Sequence, residues 1–310
     1  MDLGHDLSQA LINDANYAGE LSFARRRYTR DLDGADIVVL GIPFDAGTCN
    51  RPGARFGPRA IREQSTVVGA YPWGIWPWTD NVFERHTVVD YSDIAVVPGY
   101  PHRLVEAVIG HVGRIIEAGC SVLSLGGDHM VAHPLLAAHA RHHGPLSLVH
   151  FDAHSDTWGM GEDLNHGTPF YRAAEDGFVD PSRSIQIGMR TPNPDTLGFE
   201  VVDVDRLLDR DLAVTIGEIR DRVGGAPVYI TFDIDFLDPA YAPGTGTPVV
   251  GGPTTRQARR LLHGLVGLDV VGGDVVEVSP PYDHAGITAL AGATLAFDLL
   301  NLISLARAAR

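Results

Sequence analysis

The sequence predicts an α/β protein, a single domain in which a parallel sheet of about eight strands is flanked by helices. Three observations predict it. Eight short apolar runs of the buried-strand type recur along the chain. Between most of them lie amphipathic stretches long enough for the helical crossovers that parallel strands require. No repeat, low-complexity linker or shift of composition divides the 310 residues.

Residues 1–34 are polar and mixed and read as an N-terminal arm, with the domain proper at 35–310. Ala35–Phe44 is the first strand candidate, an apolar run closed by Gly and Pro. Asp45–Pro58 is rich in Gly, Pro and Arg and reads as a shaped loop, and Pro58 suits the first turn of a helix reaching about Ser65. Residues 71–83 hold Trp73, Trp76 and Trp78 among Tyr71, Pro72 and Pro77. That segment is either an aromatic wall near a pocket or subunit contact, or an irregular loop packed on its own aromatics. Strands are then expected at Thr87–Tyr91, Ser121–Leu125, 146–151, Ser184–Gly188, Glu200–Val204, Val228–Phe232 and Val270–Val278. Helices are expected near 102–118, 131–143, 168–176, 214–223, 253–266 and 287–308.

With 45% hydrophobic residues and a mean hydropathy near zero, the chain can bury a sizeable core. No uninterrupted apolar run reaches the roughly 18 residues of a membrane span, so no membrane partner is expected. The start lacks the basic and apolar segments of a secretory signal, and the two cysteines, Cys49 and Cys120, form no paired motif. A cytoplasmic, thiol-reduced location is the expectation. The net charge of −15 argues against a nucleic-acid partner and is compatible with a small cationic substrate.

Chemistry is expected beyond the carboxyl ends of the strands, where ligands bind in open α/β sheets. Three segments place metal-type ligands there. His129 follows Gly126-Gly127-Asp128, Asp152, His154 and Asp156 follow the strand ending at Phe151, and Asp233 and Asp235 follow the strand ending at Phe232. If the strand conformation persists, the i, i+2, i+4 spacing puts Asp152, His154 and Asp156 on one face. Singly, each motif is as well explained by a helix start, a cap or a turn. Together, four carboxylates balance the charge of two divalent ions, and two imidazoles add neutral ligands. Two such ions roughly 3.5–4 Å apart lower the pKa of a shared water. Carboxylates and imidazoles without Cys suit Mn²⁺, though Zn²⁺, Co²⁺ and Ni²⁺ fit by affinity. His166, in the loop after the central cluster, either shuttles protons to a leaving amine or structures the loop. Glu277, inside the apolar run Val275–Val278, needs a cationic partner, either an internal Arg or a bound guanidinium.

These residues resemble the ureohydrolases, the arginase and agmatinase family of binuclear manganese hydrolases. The matching stretches are Gly126–His129 (GGDH), Asp152–Asp156 (DAHSD), His166–Gly167, Asp233–Asp235 (DID) and Val276–Pro280 (VEVSP), and the likeness runs from about residue 35 to the final helix. The resemblance implies a three-layer α/β/α domain around an eight-stranded parallel sheet. It implies one Mn²⁺ on His129, Asp152, Asp156 and Asp233, and a second on Asp152, His154, Asp233 and Asp235. It puts His166 at the proton shuttle, Glu277 at the guanidinium, and Asp156 or Asp235 beside the attacking hydroxide. It also suggests a homohexamer.

Within that family the chain is similar to bacterial agmatinases, through Gln186–Thr191, Thr231–Val249 and Pro281–Leu290 among other stretches. Hydrolysis of agmatine to putrescine and urea is therefore the expected activity. The loop 157–165 holds Trp158, Glu162, Asp163 and Asn165, two acids and no base; either the acids favour a cationic substrate tail or they are merely solvated. Arg51, Arg55 or Arg190 would instead meet the carboxylate of a guanidino acid such as 4-guanidinobutyrate. Arg51–Arg59 (RPGARFGPR) also resembles proclavaminate amidinohydrolase. A catalytically silent member of the family is a third reading, against which the intact ligand set counts.

Overall fold

A computed structural model describes residues 19–69, 75–97, 100–159, 163–191 and 193–310. Its strands are β1 (Arg27–Tyr28), β2 (Ile37–Gly41), β3 (Val88–Asp93), β4 (Ser121–Leu125), β5 (Ser147–Phe151), β6 (Ile185–Met189), β7 (Glu200–Asp203), β8 (Val228–Asp233) and β9 (Val270–Val276). All nine pair in parallel, in the order β1-β3-β2-β4-β9-β8-β5-β6-β7. Every residue of β2, β4, β5, β6, β8 and β9 is buried. That is why these strands read as apolar runs rather than as alternating ones.

The eight expected strands are all present, and the sheet has one more. β1 is a two-residue strand on the edge, in the segment expected to be an arm. It is too short and polar to leave a periodic signal. Its place is set just upstream, where the Phe23 N–H donates to Asp90 Oδ2 at 2.7 Å. Arg62 grips the same carboxylate with Nε at 2.8 Å and a terminal nitrogen at 3.0 Å. This buried bidentate pair ties the N-terminal segment, β3 and the first helix together.

The helices are α1 (Gly57–Val68), α2 (Val82–Arg85), α3 (Pro101–Glu117), α4 (Ala132–His143), α5 (Pro169–Glu175), α6 (Val204–Leu208), α7 (Leu212–Val223), α8 (Thr255–His263) and α9 (Ile287–Ala309). One layer holds α1, α7, α8 and α9, the other α3, α4 and α5, and each packs its own hydrophobic cluster against the sheet. α9 is apolar and long enough to cross a membrane, yet 83% of its most apolar window is buried, against α1, β4 and β9. Its one acid, Asp298, is buried too, and takes hydrogen bonds from Arg259 at 2.8 and 3.0 Å and from the Trp78 indole at 2.6 Å. Trp78 thus belongs to the core beneath α9. Trp76 is exposed, and Trp73 lies outside the described residues.

A second buried polar group has a testable consequence. His139, on α4, has no exposed surface; its Nδ1–H donates to Leu135 O at 2.9 Å and its Nε2 meets no partner. Burial pushes its pKa down to about 4, with His143 and His142 adding to the effect. The unfolded chain binds that proton near pH 6.5 and the folded chain does not. Stability is therefore intact above pH 6.5 and falls as pH drops towards 4, at about 1.4 kcal/mol per pH unit from this ring. In urea titrations, His139→Leu is expected to lose less stability than the parent between pH 6.5 and 4.

The topology opens the site. α4 connects β4 to β5, but the sheet inserts β9 and β8 between them. The chain leaves β4 and β5 towards α4 and α5 in one layer and leaves β8 and β9 towards α8 and α9 in the other, so a crevice forms over the ends of four adjacent strands. Those ends are level, with Leu125 opposite Val275, Val275 opposite Phe232, and Phe232 opposite Phe151.

Candidate metal centre

Each of the four strands delivers an ionisable residue to this crevice. Beyond β4, Asp128 caps a short 3-10 helix by accepting the Met130 N–H, and this turns His129 inward. β5 is followed by Asp152, β8 ends in Asp233, and Glu277 follows β9. All are buried.

The expectation that Asp152–Asp156 continues as a strand is not met. β5 ends at Phe151, and the chain folds into a turn in which the His154 N–H donates to Asp152 Oδ1 at 2.6 Å. Asp156 has φ of +49°, in the left-handed region. The carboxylates converge through this turn rather than through strand alternation. Asp235 is likewise presented by a turn, its N–H donating to Asp233 Oδ1 at 2.8 Å. Backbone held in a sparsely populated conformation is common at functional sites.

His129 Nδ1 stands 3.1 Å from Asp152 Oδ2, 2.9 Å from Asp156 Oδ2 and 3.2 Å from Asp233 Oδ2. None of the three lies in line for a hydrogen bond, so this buried nitrogen is unpartnered. The tautomer is set from the other side. Thr231 Oγ1 donates to Asp274 Oδ1 at 2.6 Å, and so accepts from His129 Nε2–H at 2.9 Å. Asp274 is in turn held by the Tyr229 hydroxyl at 2.9 Å. An Nδ1 surrounded by three carboxylate oxygens fits a cation at their centre, either a proton on Nδ1 itself or a metal ion in its place, and the hydrogen-bonded outer shell is the usual way a ligating imidazole is oriented.

A second group adjoins it. His154 Nδ1 lies 3.4 Å from Asp152 Oδ1 and 3.1 Å from Asp235 Oδ2. Asp152 thus turns one oxygen to each imidazole. Among the described residues, His129, Asp152 and Asp156, with His150, and Asp152, His154 and Asp235 are the two groups of side chains close enough together to hold a metal ion.

The electrostatics point the same way. Burial opposes a charged His129, but Asp152, Asp156 and Asp233 outweigh it and hold the ring well above the usual histidine range. Burial likewise opposes charge on His154, yet Asp235 and Asp152 push it up to about 12. Burial, then the Asp235 and Asp152 charges, raises Asp233 well above the usual carboxylate range, and burial and Asp152 push Asp235 up to about 6. So much buried negative charge needs compensating cations, whether protons or metal ions.

Glu277 has φ of +61°, and its side chain is almost wholly buried. Oε1 accepts the His129 N–H at 2.9 Å and lies 3.1 Å from His166 Nδ1. Among the described residues no arginine is paired with it, and its Oε2 has no partner at all. In the neutral ring, His166 Nε2 accepts the Cys49 N–H at 3.1 Å, and Nδ1 donates to Glu277. Burial works against a charged His166, but Glu277 outweighs it and pushes the pKa up to about 10.

A cavity of about 270 Å³ adjoins these groups, lined by His154, Asp156, Asp233, His166 and Gly167, with Trp158, Asn165, Cys49 and Thr247. Of the tail residues expected from the sequence, Trp158 and Asn165 line it. Asp163 is exposed and is not among its lining residues, because the loop turns its carbonyl inward to the Thr168 hydroxyl at 3.2 Å. Glu162 lies outside the described residues. Two candidate carboxylate readers are committed elsewhere. Arg55 is paired with Asp45, and Arg190 donates to the carbonyls of Gly188, Asp235, Phe236 and Val249. Arg51 is exposed and lies over the Tyr282 ring, 5.2 Å from its centroid.

A sequence model of the Arginase family matches residues 35–301. An agmatinase from Chromobacterium violaceum is 49% identical over 93% of this chain and 89% of its own length. The crystal structure of a hypothetical agmatinase from Burkholderia thailandensis has a TM-score of 0.92 at 47% identity, covering 95% of this chain and 94% of that one. Proclavaminate amidino hydrolase from Streptomyces clavuligerus has a TM-score of 0.89 at 39% identity, covering 94% of this chain and all of that one. Fold and site together define a hydrolase that acts on carbon–nitrogen bonds of linear amidines. The chain belongs to the arginase family.

Proposed function

We propose that the protein hydrolyses agmatine to putrescine and urea on two Mn²⁺ ions, with residues 35–310 as the catalytic domain. The observation that carries the guanidine reading is the unpartnered, buried Oε2 of Glu277. A buried carboxylate oxygen left without a donor costs on the order of 1–3 kcal/mol or more. A guanidinium N–H supplies that donor and the balancing charge together.

His129, Asp152, Asp156 and Asp233 would hold one ion, and Asp152, His154, Asp233 and Asp235 the other. When bound, the pair supplies Lewis acidity and a water acidic enough to be a nucleophile near neutral pH. The remaining work falls to the chain. Glu277 Oε2 receives the guanidinium and fixes its plane. Asp235 Oδ2, which the Thr247 hydroxyl approaches at 3.3 Å, is placed to take the proton of the attacking water. Attack forms the new C–O bond. Breaking a C–N bond then releases putrescine and leaves urea, and the departing nitrogen takes up a proton. His166, on the cavity wall and bonded to Glu277, is the group we assign to restoring that proton.

The tail is assigned by charge. None of the described lining residues of the cavity is Lys or Arg, and the half-exposed Trp158 offers a ring face. An ammonium is stabilised by such a face, whereas a carboxylate finds no cation there. Urea release is therefore expected with agmatine and to be at least about tenfold slower, in kcat/KM, with 4-guanidinobutyrate, 3-guanidinopropionate or arginine. A guanidino acid as the preferred substrate would overturn the assignment and turn attention to Arg51.

A further inference from the structure

Two residues with no part in the reaction as assigned above, His150 and Gln186, form a buried relay to the shared carboxylate. His150 is on β5, two residues before Asp152, and Gln186 is its neighbour across the sheet on β6. Both are buried, His150 completely, with its ring packed on Phe170 at a centroid distance of 4.3 Å.

The direction of every hydrogen bond can be worked out from one end. The Ser155 carbonyl can only accept, and it lies 2.6 Å from one terminal atom of the Gln186 amide. That atom is therefore the NH₂ nitrogen. Its other hydrogen reaches His150 Nδ1 at 3.0 Å, so Nδ1 must be an acceptor. The ring proton is then on Nε2, 2.7 Å from Asp152 Oδ2, and is donated to it. Gln186 thus fixes the His150 tautomer, and His150 fixes the carboxylate.

The effect on Asp152 follows from lone-pair counting. Oδ2 has His150 on one side and looks towards His129 with the other, and Oδ1 has the His154 N–H on one side and looks towards the His154 imidazole with the other. Each oxygen keeps one free lone pair, and each free pair points to a different imidazole. The carboxylate cannot rotate without breaking one of these two short bonds.

We infer that His150 and Gln186 are positioning residues which lock Asp152 in the orientation that bridges two metal ions. The inference rests on the binuclear reading above. Outer-shell partners of metal ligands are generally worth about 10- to 100-fold in metal affinity. The two residues form one chain, so removing both should cost little more than removing His150 alone.

The test is Mn²⁺ titration of metal-free protein by calorimetry, with electron paramagnetic resonance of the coupled ion pair. It is applied to the parent, His150→Phe, His150→Gln, Gln186→Leu and the His150→Phe/Gln186→Leu double variant. The expected result is two coupled ions in the parent, and an affinity for at least one ion lowered about 10- to 100-fold in His150→Phe and Gln186→Leu. The double variant should match His150→Phe, and His150→Gln, whose amide N–H replaces Nε2–H, should recover most of the loss. Thermal unfolding of the metal-free forms identifies any variant that has lost its fold, in which case His150→Gln and Gln186→Leu carry the comparison. Unchanged affinity and coupling, or losses that add in the double variant, would overturn the relay while leaving the binuclear reading in place. A parent that binds fewer than two ions would overturn the binuclear reading itself.

Discussion

Asp152→Ala is expected to abolish urea release and to empty both metal positions, whereas Asp156→Ala and Asp235→Ala should each empty only one. The asymmetry follows from geometry. Asp152 is the residue whose two oxygens face different imidazoles, 3.1 Å from His129 and 3.4 Å from His154. Asp156 approaches only the His129 side, at 2.9 Å, and Asp235 only the His154 side, at 3.1 Å. Metal analysis of the purified variants gives the count directly. A stability readout should follow. An ion that binds only the folded protein stabilises it by about 2.7 kcal/mol at a concentration 100 times its Kd. Added metal should raise the melting temperature of the parent and leave that of Asp152→Ala unmoved. Two ions retained in Asp152→Ala would contradict the assignment of this residue to both positions.

Glu277→Gln should have the second largest effect, and it should do so without disturbing the metals. Glutamine keeps an acceptor at Oε1 for the His129 N–H, which lies 2.9 Å away. What it removes is the negative charge on a carboxylate whose other oxygen is unpartnered. Breaking one side of a buried charge pair costs about 3–5 kcal/mol, so kcat/KM should fall by roughly two to four orders of magnitude. Metal content should stay at the parental value, which separates loss of substrate orientation from loss of the site. Parental kcat/KM in Glu277→Gln would remove the main support for a guanidinium at this position.

Much of this site was legible in the sequence because its candidate ligands follow short buried strands and carry chemistry rare in such places. His129, Asp152, His154, Asp156, Asp233 and Asp235 could all be named from spacing, and the sheet brings them together. The local geometry was less accessible. Asp156 and Glu277 reach the site through left-handed backbone, with φ of +49° and +61°, and nothing in their neighbours' side chains announces it. Strand alternation named the right residues at 152–156 for a conformation the chain does not adopt there.

The outer shell was the least legible. Thr231 and Asp274 sit inside strands and read as ordinary members of a buried run, although Thr231 accepts from His129 and Asp274 holds the Thr231 hydroxyl. His150 had a signal, since the spacing of Asp152, His154 and Asp156 extends back to it, but the apolar run around it hid its role. Gln186 depends on a partner 36 residues away, which spacing cannot reveal. β1 escaped for a different reason: it is two residues long and held by Phe23 and Asp90 rather than by its own pattern. Asp163 lies off the cavity wall, since the composition of a loop does not say which way its side chains turn.

Titration of metal-free protein with Mn²⁺ while following urea release from agmatine tests the central claim most directly. The account predicts no turnover without metal, and activity that rises to its maximum as the second equivalent binds. Full activity in the metal-free protein, or a maximum reached at one equivalent, would contradict it.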